Sequence, residues 1–166
     1  SFGTQYFIRQ MPKETSSVGA VGGRVLVDVS TTTSEIAPMI HFAGRIAHAD
    51  NGVEIPFAVA DRASKTRARQ QLIEAEKAAE AAGYDSTGVL RLSESFADGT
   101  IELAEEADAS LLVLAWHGPR LGVDQFFGTD LDAIGLSSAV PTVAAHLIGP
   151  WERVIVVPGT GYTPWQ

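Results

Sequence analysis

The feature that most constrains this sequence is a strict alternation of short β-branched runs with helix-forming stretches. Arg24-Val25-Leu26-Val27-Asp28-Val29 reads as a strand, and Ser30-Thr31-Thr32-Thr33-Ser34 then offers N-cap residues for a helix reaching residue 49. Residues 53–60 give a second strand, and 63–82 a long helix of Ala, Glu, Lys, Arg and Gln that stops at Gly83, a residue suited to a helix C-terminus. A strand over 89–92 precedes a helix over 96–107. Residues 110–115 are almost wholly apolar, as a strand covered on both faces should be. A fourth helix over 131–139 and a strand over 140–145 complete five units. Such alternation predicts an α/β fold: a doubly wound, mostly parallel five-stranded sheet that takes ligands at the carboxyl ends of its strands. With 166 residues the chain can bury one sizeable core.

Two segments flank that pattern. Residues 1–23 read as a lead-in or linker, aromatic and basic at first (Phe2, Tyr6, Phe7, Arg9, Lys13) and glycine-rich at the end; they are expected to be a tether, with a docking strand or one helical turn as the alternatives. Residues 148–166 form a tail in which Arg153-Val154-Ile155-Val156-Val157 echoes Arg24-Val25-Leu26-Val27. That run is either an extra edge strand at 153–157 or the truncated start of a second repeat. Opening on Ser1 rather than Met, the sequence reads as a piece of a longer chain.

Charge narrows the function. Residues 1–91 carry ten Lys/Arg and ten Asp/Glu, whereas residues 92–166 carry Arg120 and Arg153 against ten acids, so the whole net charge of −8 sits in the second half. An acidic half without a basic stripe argues against nucleic acid and anionic lipid as partners. There is no cysteine, which removes disulfides, thiolate metal sites and thiol nucleophiles and suits a reducing compartment. The longest apolar run, Leu111 to Trp116, falls far short of the ~20 residues of a membrane helix, so no membrane insertion of this segment is expected.

The most informative stretch runs from Leu114 to Thr129. Its Gly118, Gly122 and Gly128 let backbone N–H groups approach an anion, and the expected helix start adds unpaired donors. Here the sequence resembles the universal stress protein family, which carries Gly-x2-Gly-x9-Gly-(Ser/Thr) between its fourth strand and last helix. The matching residues are Ala115-x2-Gly118-x9-Gly128-Thr129, three of the four positions. The order of elements and the Pro141-Thr142-Val143 opening of the last strand are similar too, so the resemblance covers about residues 24–147. It implies the stress-protein and adenine-nucleotide-hydrolase type of fold, and a site for ATP or AMP in which Gly118, Gly128 and Thr129 contact phosphate. An Asp at the end of the first strand reaches the adenosine in nucleotide-binding members; that position falls on Ser30, with Asp28 two residues earlier and deeper. A hydroxyl there loses a charge-assisted acceptor, and Ala115 adds a methyl group where the family has bare backbone. Asp124, Asp130 and Asp132 would crowd a phosphate, and Thr129-x-x-Asp132 reads as a capping box that fills the helix start from within.

Family variants that lack the Asp and carry Trp-His-Gly-like loops are similar to this chain. They include the carboxyl-terminal cytoplasmic domains of bacterial cation/proton antiporters. The resemblance therefore implies a regulatory or assembly domain with a degenerate nucleotide site and no resident cofactor, joined to a transmembrane transporter domain on the cytoplasmic side, and the family's habit implies a homodimer. A stand-alone stress protein binding ATP or AMP is the alternative, and a nucleotide hydrolase the more distant one.

The remaining candidates are weaker. His117 either contacts phosphate or titrates in the loop, or else bonds local backbone. His41 and His48 share a helix face but lack the further ligands a zinc ion needs, so no metal site is expected. Arg62, Lys65, Arg67 and Arg69 open the second helix against its dipole, as a solvated face or an anionic partner surface. Glu94, Asp98, Glu102, Glu105, Glu106 and Asp108 read as the exposed face of the third helix. No nucleophile with its base, no Gly-x-Ser-x-Gly elbow and no Walker lysine occurs, so no enzyme activity is expected.

Overall fold

The computed structural model describes residues 5–8, 23–31, 36–115 and 124–146, with side chains described for 23–31, 36–115 and 130–145. The chain runs β1 (Gln5–Ile8), β2 (Arg24–Asp28), α1 (Ile36–Ala49), β3 (Val53–Ala60), α2 (Lys65–Ala81), β4 (Val89–Leu92), α3 (Phe96–Glu106), β5 (Leu111–Ala115), α4 (Asp124–Ser137) and β6 (Thr142–His146). The strands form one sheet in the order β1-β6-β5-β2-β3-β4. β2 to β6 are mutually parallel, and this is the expected five-stranded, doubly wound α/β sheet.

A parallel sheet of this kind is covered on both faces, and strand alternation divides its side chains between two cores. Val25, Val27 and Val29 of β2, with Ala58 and Ala60 of β3, pack against α1 and α2. Leu26, Phe57, Val59, Leu112 and Leu114 face α3 and α4. Every residue of β5 is buried, which accounts for its continuous apolar run. α2 ends where the sequence placed its stop: Gly83 adopts φ +82°, a conformation that costs a residue without Cβ little. Its N–H donates to the Glu80 carbonyl, and the Tyr84 N–H returns to the Ala79 carbonyl.

Two elements differ from expectation. The lead-in, read as a tether, contributes β1, which pairs antiparallel with β6 in the register Gln5 opposite His146. Gln5–Ile8 thus adds a sixth strand beside β6; the run 153–157 expected as an edge strand or a second repeat, and the rest of 148–166, lie outside the described residues. α4 begins at Asp124, seven residues earlier than predicted, so Gly128 and Thr129 fall inside the helix and Thr129 is not its cap. A glycine within a helix costs about 1 kcal/mol against alanine, too little to stop one that tertiary contacts hold. Among the described residues no helix is long and apolar enough to cross a membrane.

Two helix glycines give opposite expectations. A Cβ on the buried Gly44 of α1 would stand 2.4 Å from Cε2 of Tyr84, whereas one on Gly135 of α4 would meet nothing within 4 Å. Gly44→Ala should lower stability by about 1–3 kcal/mol through overpacking, and Gly135→Ala should raise it by ~0.5–1 kcal/mol through helix propensity. Urea unfolding midpoints of the two variants check both signs.

Candidate functional site

The carboxyl ends of β2 and β3, the start of α2 and the middle of α4 enclose a cleft of about 250 Å³. Its floor is organised by Asp28. This carboxyl is fully buried, and its two oxygens take the whole turn that leaves β2. Oδ1 accepts from the Ser30 N–H at 2.9 Å and from the Ser30 hydroxyl at 2.6 Å. Oδ2 accepts from the Thr31 N–H at 3.4 Å and from the Thr31 hydroxyl at 2.5 Å. Burial pushes the Asp28 carboxyl above the ordinary aspartate range, and the Ser30 and Thr31 donors pull in the other direction. An acid so enclosed positions the turn and has no surface exposed to the cleft.

Ser30 stands at the cleft, where the resemblance places the adenosine-contacting residue, but its hydroxyl is already engaged. It donates to Asp28 and accepts from the Val59 N–H of β3 at 3.3 Å. A hydroxyl has one hydrogen and two lone pairs, so Ser30 retains one accepting site and no donor for a ligand. Its carbonyl accepts from the Gln71 amide of α2 at 3.2 Å, which ties the same turn to the helix behind it.

Three other residues give the cleft its character. Arg67, from the basic start of α2, and Phe96, at the start of α3, line it with a cation and a ring. Asp130 of α4 also lines it, and burial holds this carboxyl above its usual range. Of the expected phosphate ligands, Gly118 and His117 lie outside the described residues, while Gly128 and Thr129 lie in α4. The N–H groups a helix leaves unpaired belong to its first four residues. With α4 starting at Asp124 those are 124–127, ahead of Gly128 and Thr129. The described side of the cleft thus presents the Ser30 hydroxyl at the end of β2, with one cation, Arg67, and one acid, Asp130, on its walls.

The other sequence candidates are spread over the surface. His41 and His48 are both exposed on α1, and His48 stacks on Tyr84 with ring centroids 4.2 Å apart. Arg62, Arg67 and Arg69 are exposed and Lys65 half-buried. The six acids around α3 are all exposed, and Arg91 of β4 lies beside them, paired with Glu106 and 3.9 Å from Glu102. Sequence reasoning did not single out Gln71 and Phe96, which fell within stretches read only as helix, and it missed the buried Glu54 of β3 altogether.

Comparison with known proteins agrees with the fold. The profile of the universal stress protein family matches residues 25–146. The chain belongs to that family. Among solved structures it is similar to a universal stress protein in complex with cAMP (25% identity, TM-score 0.63, 76% of this chain and 98% of that one). It shares its fold with a universal stress protein from Archaeoglobus fulgidus (15% identity, TM-score 0.64, 74% and 98%). The same holds for an Archaeoglobus fulgidus universal stress protein in complex with dAMP (16%, TM-score 0.60, 75% and 98%). A search of curated proteins returned no match.

If Asp28 is the anchor of the β2 turn, its replacement should be costly in a specific way. Asp28→Ala leaves two N–H groups and two hydroxyls without their acceptor and should destabilise the protein by roughly 2–3 kcal/mol. Denaturant unfolding gives the magnitude, and backbone amide shifts of Ser30, Thr31 and Val59 should move most. Unchanged shifts at those residues would show that the turn does not depend on Asp28.

Proposed function

We propose that this universal stress protein domain is a regulatory or assembly module rather than an enzyme, that it serves the cytoplasmic side of a membrane cation/proton antiporter, and that its nucleotide cleft is degenerate. The observation that carries the degenerate reading is the Asp28–Ser30–Val59 arrangement. The residue facing the cleft from β2 is a neutral hydroxyl whose hydrogen is spent inside the protein. Asp130 on the opposite wall adds negative charge where a polyphosphate would bring more, and the early start of α4 supports the same reading. The antiporter association rests on the Ser30 replacement together with the Trp116-His117-Gly118 loop, as in the tail domains this sequence resembles.

A second reading, a ligand-binding stress protein, is favoured by the similarity to a relative in complex with cAMP. Ser30 keeps one accepting lone pair, and Phe96 offers a ring for stacking, so a small adenylate with hydroxyl groups to donate suits the described wall better than a triphosphate does.

Isothermal titration separates the two. With ATP, with or without Mg²⁺, no binding tighter than about millimolar is expected, which corresponds to less than roughly 4 kcal/mol. Micromolar affinity for ATP, AMP or cAMP that disappears in Gly128→Val would replace the degenerate reading with the second one. For the transporter association, the test is ion flux through the full-length protein in vesicles with residues 24–147 deleted; flux and its regulation identical to wild type would exclude the role.

A further inference from the structure

Glu54 is the second residue of β3, at the end of the sheet opposite the cleft, and its side chain points toward α1. It is 2% exposed, and neither carboxylate oxygen has a hydrogen-bond partner. A buried ionised carboxylate without a partner is among the costliest groups a protein can hold, so this acid is comfortable only with its proton on. Burial alone pushes Glu54 up to about 8.

The surroundings are built to close over a neutral group. Gly44 lies directly above it: a Cβ there would stand 3.2 Å from Oε2 of Glu54 and 2.4 Å from the ring of Tyr84. The missing side chain is therefore what lets the Tyr84 ring and the carboxyl meet α1 at the same place. Tyr84 is held from outside by the stack with His48, one helical turn beyond Gly44, and reaches this position directly after Gly83 with its positive φ. The neighbouring strand presents Val25 in register, and α2 contributes the buried Ala79, whose carbonyl accepts the Tyr84 N–H. Of the titratable and charged groups toward this end of the packed elements, Tyr84 lies against Gly44 and His48 stacks on Tyr84; His41, Arg45, Asp50, Lys77, Glu80 and Asp85 are exposed, the exposed Arg24 of β2 donates to the Ala107 carbonyl, and the half-buried Glu76 of α2 accepts from the Gly88 N–H.

We infer that Glu54 is the proton-operated catch of a latch in which Tyr84 and the turn after α2 close against α1 while the carboxyl is neutral and release when it ionises. The release exposes the carboxylate to water and frees Tyr84 from Gly44, with Gly83 as the pivot. This device does not depend on whether the cleft at the other end of the sheet holds a nucleotide.

The sign follows from linkage. The folded carboxyl holds its proton to higher pH than the released one, so closure is at full strength below the ordinary glutamate range and weakens as pH rises toward the folded value. Amide hydrogen exchange of the whole 166-residue chain, corrected for intrinsic rates, reads it in Gly44 to Ala49 and in residues 82–86. In the wild type the opening constant of these amides should rise about tenfold per pH unit from about pH 5 to about pH 8 and then level off. Glu54→Gln should abolish that slope, whereas His48→Gln and Tyr84→Phe should keep it. Carbon-13 NMR of the Glu54 carboxyl in the wild type should titrate well above the range of an ordinary glutamate. An ordinary titration, an undiminished slope in Glu54→Gln, or the same slope in α3 and α4 amides, which would mean global unfolding, overturns the inference.

Discussion

Everything described above depends on covering two faces of one parallel sheet. β2 and β5 lie at its middle, each flanked by parallel neighbours and each contributing alternate residues to cores on opposite sides. Once β2 is enclosed in this way, a polar side chain at its end must find partners within the protein. Asp28 does so by gathering the donors of Ser30 and Thr31, and that solution shapes the cleft. Glu54, on the next strand, finds none. The two acids are responses to the same low-dielectric interior: one is solvated by a turn folded around it, and the other is left to its proton.

The sheet was legible because its signals are local and redundant. Residues 53–60 and 89–92 were placed as strands at the bounds observed, and the stop at Gly83 coincides with the positive φ that only a residue without Cβ adopts readily. Where competing local signals met, the reading failed. Gly128 and the Thr129-x-x-Asp132 spacing looked like the boundary of a helix, yet α4 passes through them. β1 was hidden for another reason: four residues with no turn to pair them locally gain their partner from β6, far along the chain. The site was legible in part. Ser30 and Asp28 could be ranked by depth from strand alternation, but the engagement of the Ser30 hydroxyl depends on Val59, which belongs to another strand. Glu54 left no trace, because a lone charge near a strand end usually faces water.

The two ends of the sheet have different chemistry. At the carboxyl ends, hydroxyls, an amide and charges of both signs surround an open cleft, and its floor is crosslinked by hydrogen bonds from β2 to β3 and α2. At the other end a single acid is sealed by a tyrosine and a glycine. α1 spans both, beginning just beyond the Ser30–Thr31 turn and passing over Glu54 in its second half. A domain with these two ends carries two chemically distinct environments along one helix.

The pairing of Gln5–Ile8 with Val143–His146 has a consequence for how the chain is made. Among the described strands, the one synthesised first has the hydrogen-bonding partner that is synthesised last. Through the growth of the whole β2–β5 core its N–H and C=O groups wait for the partner that β6 supplies. The final edge of the sheet is thus sealed by closing the longest loop in the fold, a step that local structure cannot hasten and that sets a late event in its assembly.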